Sequence, residues 1–324
     1  MDKIVLSKFK GGEVTGLLLL AGIGGEETAQ SGNPFFNIIL MDGQQRKTIS
    51  VFKPRDEFQI PAMTVCEVTL RYKTGQKGTF IDLISIKPVD GQDPNDYIIH
   101  EEIDGETAYS EVVATLSKLK ADEYPEGWGN NTLYDLTLAI YAQYRAQIID
   151  SPGGTVYSHE AKWGFINKSL SMLKDVIKLR ETHVFNLEIV TTAVCLCNLH
   201  FLFVLRNDEG GNPVKNALAY IYNPVEMTAK IVHNMAAGRN IEKNMLEGLE
   251  ICIRSAYGPL YFRDNKKDSV SSIDPVTIEA LFTSTVVCLC EKENIYKKLL
   301  QEVKPGDVSE VDYRLHYPIY NPKY

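Results

Sequence analysis

The sequence predicts a multidomain α+β protein in which a small β-barrel precedes an all-helical domain. Three observations support this fold class. A chain of 324 residues is long enough to bury two cores. Its first 90 residues read as short strands separated by turn residues. After residue 90, apolar residues recur at helical spacing along most of the chain.

The N-terminal part contains five segments that are rich in β-branched, aromatic and other apolar residues and are bounded by Gly, Asn, Asp or Pro. Five short strands within 90 residues are typical of a small closed barrel of the OB type. The predicted strands cover residues 13–21, 34–41, 47–52, 64–73 and 79–87.

A polar stretch at residues 89–96 ends the strand pattern and indicates a domain boundary. We predict an OB-fold domain at residues 1–90, a helical connector at 91–150 and a second helical domain at 151–324. The C-terminal residues 313–324 are expected to pack as an extended strap. The predicted helices cover residues 106–121, 131–149, 160–179, 186–205, 225–237, 241–255 and 275–291.

Composition indicates a cytoplasmic protein without membrane contact. No apolar run approaches the ~20 residues that a membrane-spanning helix needs, and the N-terminus lacks the pattern of a secretory signal. Five of the six cysteines fall in apolar, helical stretches, which suits a reducing compartment.

The net charge of −8 is unevenly distributed along the chain. Residues 1–90 hold 11 Lys and Arg against 10 Asp and Glu, whereas residues 91–324 hold 23 against 32. A polyanion is repelled by the second part, so any nucleic-acid contact should concentrate on the barrel.

Strand alternation places aromatic and cationic side chains on the outside of the barrel. OB barrels bind single strands by stacking bases on aromatic rings while Lys and Arg follow the phosphates. The alternative is that the two phenylalanines pack against the helical domain and the cations are merely solvated. The predicted nucleic-acid-binding residues are Phe35, Arg46, Phe52, Lys53, Arg71, Lys73 and Lys77.

The order of segments resembles the YhaM family of 3′→5′ exoribonucleases, which join an OB barrel to an HD domain. The barrel motif of that family is similar to Gly32-Asn33-Pro34-Phe35, to the strand ending at Leu40-Met41-Asp42, and to the strand 47–52, in which Phe52 takes the place of a tryptophan. The resemblance covers most of the chain and implies an HD-like helical domain after the barrel.

The helical domain departs from the family's chemistry. An HD hydrolase holds its metal with imidazole and carboxylate groups. His159 and Gly164-Phe165 match the lead-in to the site, and Pro275 and Glu279 keep the framework. The resemblance places the ligand positions on residues other than the His and Asp that this chemistry needs, so we predict no catalytic residue, no metal and no cofactor. These positions are Lys168, Cys197, Asn198, Tyr220, Ala256, Tyr257 and Val287.

The resulting hypothesis is a non-catalytic protein that binds single-stranded DNA or RNA with its OB barrel. The inactive HD-like domain would support self-association or bind a protein partner. One alternative is a divergent metal-dependent 3′→5′ exonuclease with a site rebuilt around Cys197, Asn198 and His200. A second alternative is a protein-interaction scaffold.

Overall fold

The fold is described from a computed structural model of the chain. It divides into two units, one formed by residues 1–100 with 207–212 and the other by 101–206 with 213–324. The division lies at residue 100 rather than 90, and the predicted connector is shared between the two units. The structure describes residues 2–6, 9, 11–75, 78–99, 101–124, 131–154, 159–207, 213–257, 273–309, 311, 312, 315 and 317–323.

The first unit is an antiparallel sheet of six strands followed by a short 3₁₀ turn. Strand β1 is central, because it pairs with β3 on one side and with β5 on the other. Strand β4 pairs with β3, β6 pairs with β5, and β4 also lies beside β6. The strands are β1 (Glu13–Ile23), β2 (Glu27–Thr28), β3 (Pro34–Met41), β4 (Arg46–Val51), β5 (Thr64–Gly75) and β6 (Gly78–Pro88).

Alternation along β3 and β4 builds the core of this unit. Phe36, Ile38 and Leu40 are fully buried, and Ile49 and Val51 face them from β4. Side chains one position away point to the opposite face because the side-chain period of a strand is two. The inward positions agree with strand alternation, whereas Ile39, which alternation places on the outer face, is half-buried and packs against the cluster that contains Tyr97. The short strand β2, which pairs with the start of β3, was not predicted.

Strand β1 is buried on both faces. Leu18 and Leu20 point into the main core, whereas Leu17 and Leu19 belong to a second cluster that includes Tyr97. Tyr97 ends the 3₁₀ turn Pro94–Tyr97, which covers that part of the sheet. A strand with two buried faces reads as a continuous apolar run, which accounts for the four consecutive leucines of β1.

The second unit is a helical bundle in its described residues, and the three helices of the predicted connector contribute to its core. Two short strands, β7 (Leu205–Asn207) and β8 (Pro213–Lys215), pair with each other. The helices are α1 (Gly105–Glu123), α2 (Leu133–Gln143), α3 (Arg145–Asp150), α4 (Gly164–Arg180), α5 (Leu187–Leu196), α6 (Phe201–Val204), α7 (Leu218–Ile221), α8 (Pro224–Ala236), α9 (Lys243–Ser255) and α10 (Ile278–Glu302).

Two predicted helices are each interrupted in the structure. The predicted helix 131–149 breaks at Tyr144, whose ring packs edge-on against Phe203 at a centroid distance of 5.3 Å. The predicted helix 186–205 ends its regular part at Leu196 and continues only as the short α6. Helical spacing of apolar residues does not reveal such breaks, because side chains from other helices stabilise them.

One described stretch, Leu187–Val204, has the length and composition of a membrane-spanning helix, with a mean hydropathy of 1.8 over 18 residues. The expectation that no apolar run approaches this length was therefore wrong. However, 83% of the stretch is buried inside the fold. We assign it to the core of the helical unit, since core helices share this composition.

Candidate functional site

An exposed pair of aromatic rings marks one face of the antiparallel sheet. The rings of Phe35 and Phe52 lie 5.7 Å apart at an interplanar angle of 30°. Phe52 follows β4 directly and keeps 69% of its surface exposed. Phe35 is half-buried at the start of β3. Two adjacent rings, one of them largely exposed, provide a flat apolar surface on which a planar ligand can stack, so this pair is the first candidate for ligand contact.

Polar side chains continue from the ring pair along the same two strands. Asn37 and Ser50 are paired across β3 and β4, and the Ser50 hydroxyl donates to Asn37 Oδ1 at 2.8 Å. Thr48 is exposed one alternate position further along β4. We call the set Phe35, Asn37, Thr48, Ser50 and Phe52 the aromatic face.

Two of the predicted cations flank the aromatic face at its opposite ends. Arg46 opens β4 and lies on the same side of the strand as Phe52, six residues and about 20 Å away. Lys53 adjoins the ring pair, and its Nζ lies 5.1 Å from the centroid of Phe58. Within the described part of the chain, Lys53 has no carboxylate partner.

The predicted cations of β5 lie elsewhere on the barrel. Strand β5 is separated from β3 by β1, so Arg71 and Lys73 do not share the β3–β4 surface. Arg71 forms an ion pair with Glu13 at 2.7 Å, and Lys73 forms one with Asp82. Cations that are already paired attract phosphate less strongly. Lys77 lies outside the described residues.

Sequence reasoning did not single out Arg55 and Phe80. The Arg55 guanidinium packs 5.5 Å from the Phe36 ring and donates to the carbonyl of Phe58 at 2.7 Å. It therefore holds the loop after β4 in place. Phe80 is half-exposed on β6, directly opposite Lys73. Alternation on the last strand would have indicated its outward direction.

The second candidate region is the polar centre of the helical bundle. The Lys168 side chain is only 1% exposed, and its ammonium donates to the Glu291 carboxylate and, at 3.4 Å, to the carbonyl of Gly153. Burial by itself would lower the pKa of Lys168, but the carboxylate of Glu291 raises it above its ordinary value. The Lys168 side chain therefore carries its positive charge inside the protein.

The neighbouring side chains satisfy one another. Tyr257 donates its hydroxyl hydrogen to Asn198 Oδ1, and Asn198 Nδ2 donates to Cys197 Sγ at 3.3 Å. Burial raises the pKa of the Cys197 thiol to about 12, although Lys168 opposes the shift. The thiol is therefore protonated at neutral pH in this environment.

His200 contacts a hydroxyl group outside this cluster. Its Nδ1 lies 3.2 Å from the hydroxyl of Thr228, which belongs to α8. Burial, followed by the charge of Lys168, lowers the pKa of His200 to about 3. The three residues of the proposed rebuilt site are thus each engaged with protein groups.

His159 is the one histidine that contacts acidic partners at this centre. Its Nδ1 lies 3.2 Å from Glu101 Oε2, outside hydrogen-bonding geometry, and its Nε2 lies 3.7 Å from Cys290 Sγ. Burial opposes the charge, but Cys290 and Glu101 together raise the pKa of His159 to about 9. Its positive φ of 50° accompanies a close backbone approach, since a Cβ on Gly164 would lie 1.9 Å from the His159 carbonyl oxygen.

The three remaining ligand positions of the family's pattern place no polar side chain at this centre. Tyr220 is 79% exposed on α7, whereas Ala256 and Val287 are fully buried in the apolar core.

The residues present do not fit the divalent metal that the family resemblance implies. A cationic lysine occupies the centre, and Ala256 and Val287 have no ligand atoms. Among the described residues, no group of three His, Cys, Asp or Glu side chains could hold a metal ion. The chemistry of this donor set favours a structural role for the cluster.

No protein family model matches this chain, and no curated protein matches it.

Proposed function

We propose that this protein binds single-stranded nucleic acid on the aromatic face of its barrel. The observation that carries the proposal is the exposed Phe35–Phe52 ring pair, which continues into the Asn37–Ser50 pair along the same two strands. Flat exposed rings stack on unpaired bases, and adjacent amide and hydroxyl groups donate to and accept from base edges.

The strand order supports assignment of the first unit to the OB class. In such a barrel the first strand pairs with the second and the fourth long strands, and the third lies beside the fifth. Here β1 pairs with β3 and β5, while β4 lies beside β6. The surface of the second and third long strands, which carries the aromatic face, is the one that OB barrels use for oligonucleotides.

Charge around the aromatic face favours base stacking over phosphate contact at the ring pair. Glu27 is paired with Phe35 across β2 and β3, so a carboxylate borders the rings. The cations Arg46 and Lys53 flank the face instead. We propose that a strand lies along β4 with its bases on the rings and its phosphates toward these two side chains.

Fluorescence anisotropy with labelled single-stranded DNA and RNA tests the proposal. Phe52→Ala and Phe35→Ala should each weaken binding by roughly 5- to 150-fold, because stacking contributes ~1–3 kcal/mol per base. Tyr220→Ala removes an exposed aromatic of the helical unit and should leave the affinity unchanged. Wild-type protein that shows no salt-dependent binding at micromolar concentration would contradict the proposal.

We further propose that the helical unit is an HD-like domain without hydrolytic activity, which serves in assembly or partner binding. The buried Lys168–Glu291 pair supports this, since the ammonium supplies a positive charge where hydrolysis would require a metal-held water. Purified protein should leave a 3′-labelled RNA intact in the presence of manganese. Degradation that stops on chelation and is lost in an Asn198→Ala variant would instead favour the exonuclease.

A further inference from the structure

Two adjacent glutamates at the start of β2 differ in their surroundings. The carboxylate of Glu26 accepts from the backbone N–H of Arg55 at 2.7 Å, which links β2 to the loop after β4. The side chain of Glu27 is exposed, and it has no hydrogen-bond or ion-pair partner among the residues that the structure describes. Glu27 therefore remains available to a ligand, whereas Glu26 stabilises the local fold.

Strand pairing places the Glu27 carboxylate on the same surface as the ring pair. Glu27 and Phe35 are directly opposite each other on β2 and β3. Side chains of such a pair point to the same side of the sheet, with their Cβ atoms about 5 Å apart. The Phe35 ring contacts Phe52 on its other side. A base that stacks on the two rings therefore has one edge within reach of this carboxylate.

A hydrogen-bond donor lies beside the same edge. Asn37 follows Phe35 by two residues on β3, so the two side chains share the outward side of the strand. Asn37 Oδ1 accepts from the hydroxyl of Ser50 at 2.8 Å. Its Nδ2 group has no partner within the described ranges of the chain. The ring pair is thus bordered by acceptors from Glu27 and by donors from Asn37.

This combination matches the Watson–Crick edge of guanine, which unpaired bases expose to proteins. Guanine has two neighbouring donors, N1–H and the N2 amino group, next to the acceptor O6. The two oxygens of a carboxylate can accept from both donors, while an amide nitrogen donates to O6. Adenine and cytosine offer a single amino donor on this edge. Thymine and uracil place a carbonyl oxygen on each side of N3–H, and a carboxylate repels both oxygens.

We propose that the aromatic face selects guanine in single strands, with Glu27 and Asn37 contacting the edge of the base that stacks on the rings. This selectivity rests on the strand binding proposed above and specifies the base that is preferred. It also accounts for a carboxylate on a surface that binds a polyanion. Without a donor to bind, the Glu27 charge would only weaken the attraction of the strand.

Fluorescence anisotropy with four labelled DNA strands measures the selectivity. Each strand has about ten nucleotides, a length within the site size of one OB barrel. Three strands carry one guanine, one inosine or one adenine among thymines, and the fourth contains thymine alone. Wild type should bind the guanine strand roughly 10- to 150-fold more tightly than the thymine strand, because hydrogen bonds to a charged group are gained.

The inosine and adenine strands separate hydrogen bonding from stacking. Inosine lacks only the N2 amino group of guanine, so its strand should bind roughly 10-fold more weakly than the guanine strand. Adenine is also a purine, and its strand should bind more weakly than the guanine strand although its stacking area is similar.

Variants of the two polar residues test their roles. Glu27→Ala should abolish the difference between the guanine and inosine strands. Its affinity for the thymine strand should stay equal or rise, because a negative charge beside the strand is removed. A misfolded variant would instead bind all four strands more weakly. Asn37→Ala should weaken binding of the guanine strand by roughly 2- to 10-fold while the distinction from inosine persists.

Asp90→Ala is the matched control, since it removes an exposed carboxylate of the same unit that lies outside the aromatic face. It should keep the wild-type ratio of guanine to inosine affinity. Equal binding of the guanine and inosine strands by wild type, or a ratio that persists in Glu27→Ala, would overturn the selectivity. Binding of none of the four strands would instead contradict the strand-binding proposal, and the selectivity with it.

Discussion

The aromatic face of the barrel and the polar centre of the helical bundle both gather polar and aromatic groups, but they use them differently. On the aromatic face, Phe52, Thr48 and Ser50 are exposed to solvent. At the bundle centre, Lys168 and Asn198 are buried and bound by other side chains. A group that is already satisfied contributes to stability, whereas an exposed one remains available to a ligand.

The difference teaches that the number of polar residues in a region does not identify the functional site. The bundle centre contains lysine, histidine, cysteine and glutamate side chains, yet the Lys168–Glu291 pair shows how their charges offset one another inside the protein. The aromatic face contains few charges and no titrating pair. Its availability comes from geometry, because two adjacent strands end in neighbouring rings.

The largest expected effect is a loss of stability when the ion pair at the bundle centre is broken. Lys168→Met leaves the Glu291 carboxylate buried without a cation, which should lower the free energy of unfolding by ~3–5 kcal/mol. The double variant Lys168→Met, Glu291→Leu removes both charges and should recover most of that loss. Lys174→Met on the same helix is the control, since its pair with Glu111 is half-exposed and contributes ~0–1 kcal/mol. Urea unfolding measures all three, and equal losses for Lys168→Met and Lys174→Met would refute the structural role.

The next effect is a dependence of stability on pH, to which His159 and His200 contribute in opposite directions. The pKa of His159 is raised to about 9, so its stabilisation is full below the unfolded pKa of ~6.5 and is lost as pH rises through 9. The pKa of His200 is lowered to about 3, so its contribution is present above ~6.5 and is lost as pH falls toward 3.

Stability should therefore be greatest near neutral pH and should decline on both sides. His159 contributes up to roughly 3 kcal/mol across its window, and His200 contributes up to roughly 5 kcal/mol. His159→Gln should flatten the alkaline side alone, and His200→Gln should flatten the acidic side alone. Thermal melts from pH 4 to pH 9.5 follow both, and a variant that changes neither slope would show that its histidine does not titrate as described.

The smallest expected effect is a change in the salt dependence of strand binding, which tests which surface of the first unit contacts the strand. Lys53→Ala should reduce the slope of log affinity against log salt by about 0.7, the value for one phosphate contact on a single strand. Arg71→Ala should leave this slope unchanged because Arg71 pairs with Glu13 on another surface. It should also cost less than about 1 kcal/mol of stability, since the pair is exposed. A larger slope change for Arg71→Ala than for Lys53→Ala would indicate that the binding surface lies on β5 instead.

Much of the barrel was predictable because strand alternation is a local property. The inward set at Phe36, Ile38 and Leu40 and the outward direction of Phe35 and Phe52 follow from period two alone. The helical breaks at Tyr144 and after Leu196 were not predictable. Both points contact residues that are far away in sequence: the Tyr144 ring packs against Phe203, and Asn198 accepts from the hydroxyl of Tyr257.

The sequence by itself determined the order of a strand-rich part and a helical part and the outward direction of Phe35 and Phe52. Only the tertiary structure decided which charged side chains form ion pairs with each other. Lys168 meets Glu291, 123 residues away, and Arg71 meets Glu13, 58 residues away. Periodicity reports which way a side chain points, but its partner is set by the long-range packing of whole elements.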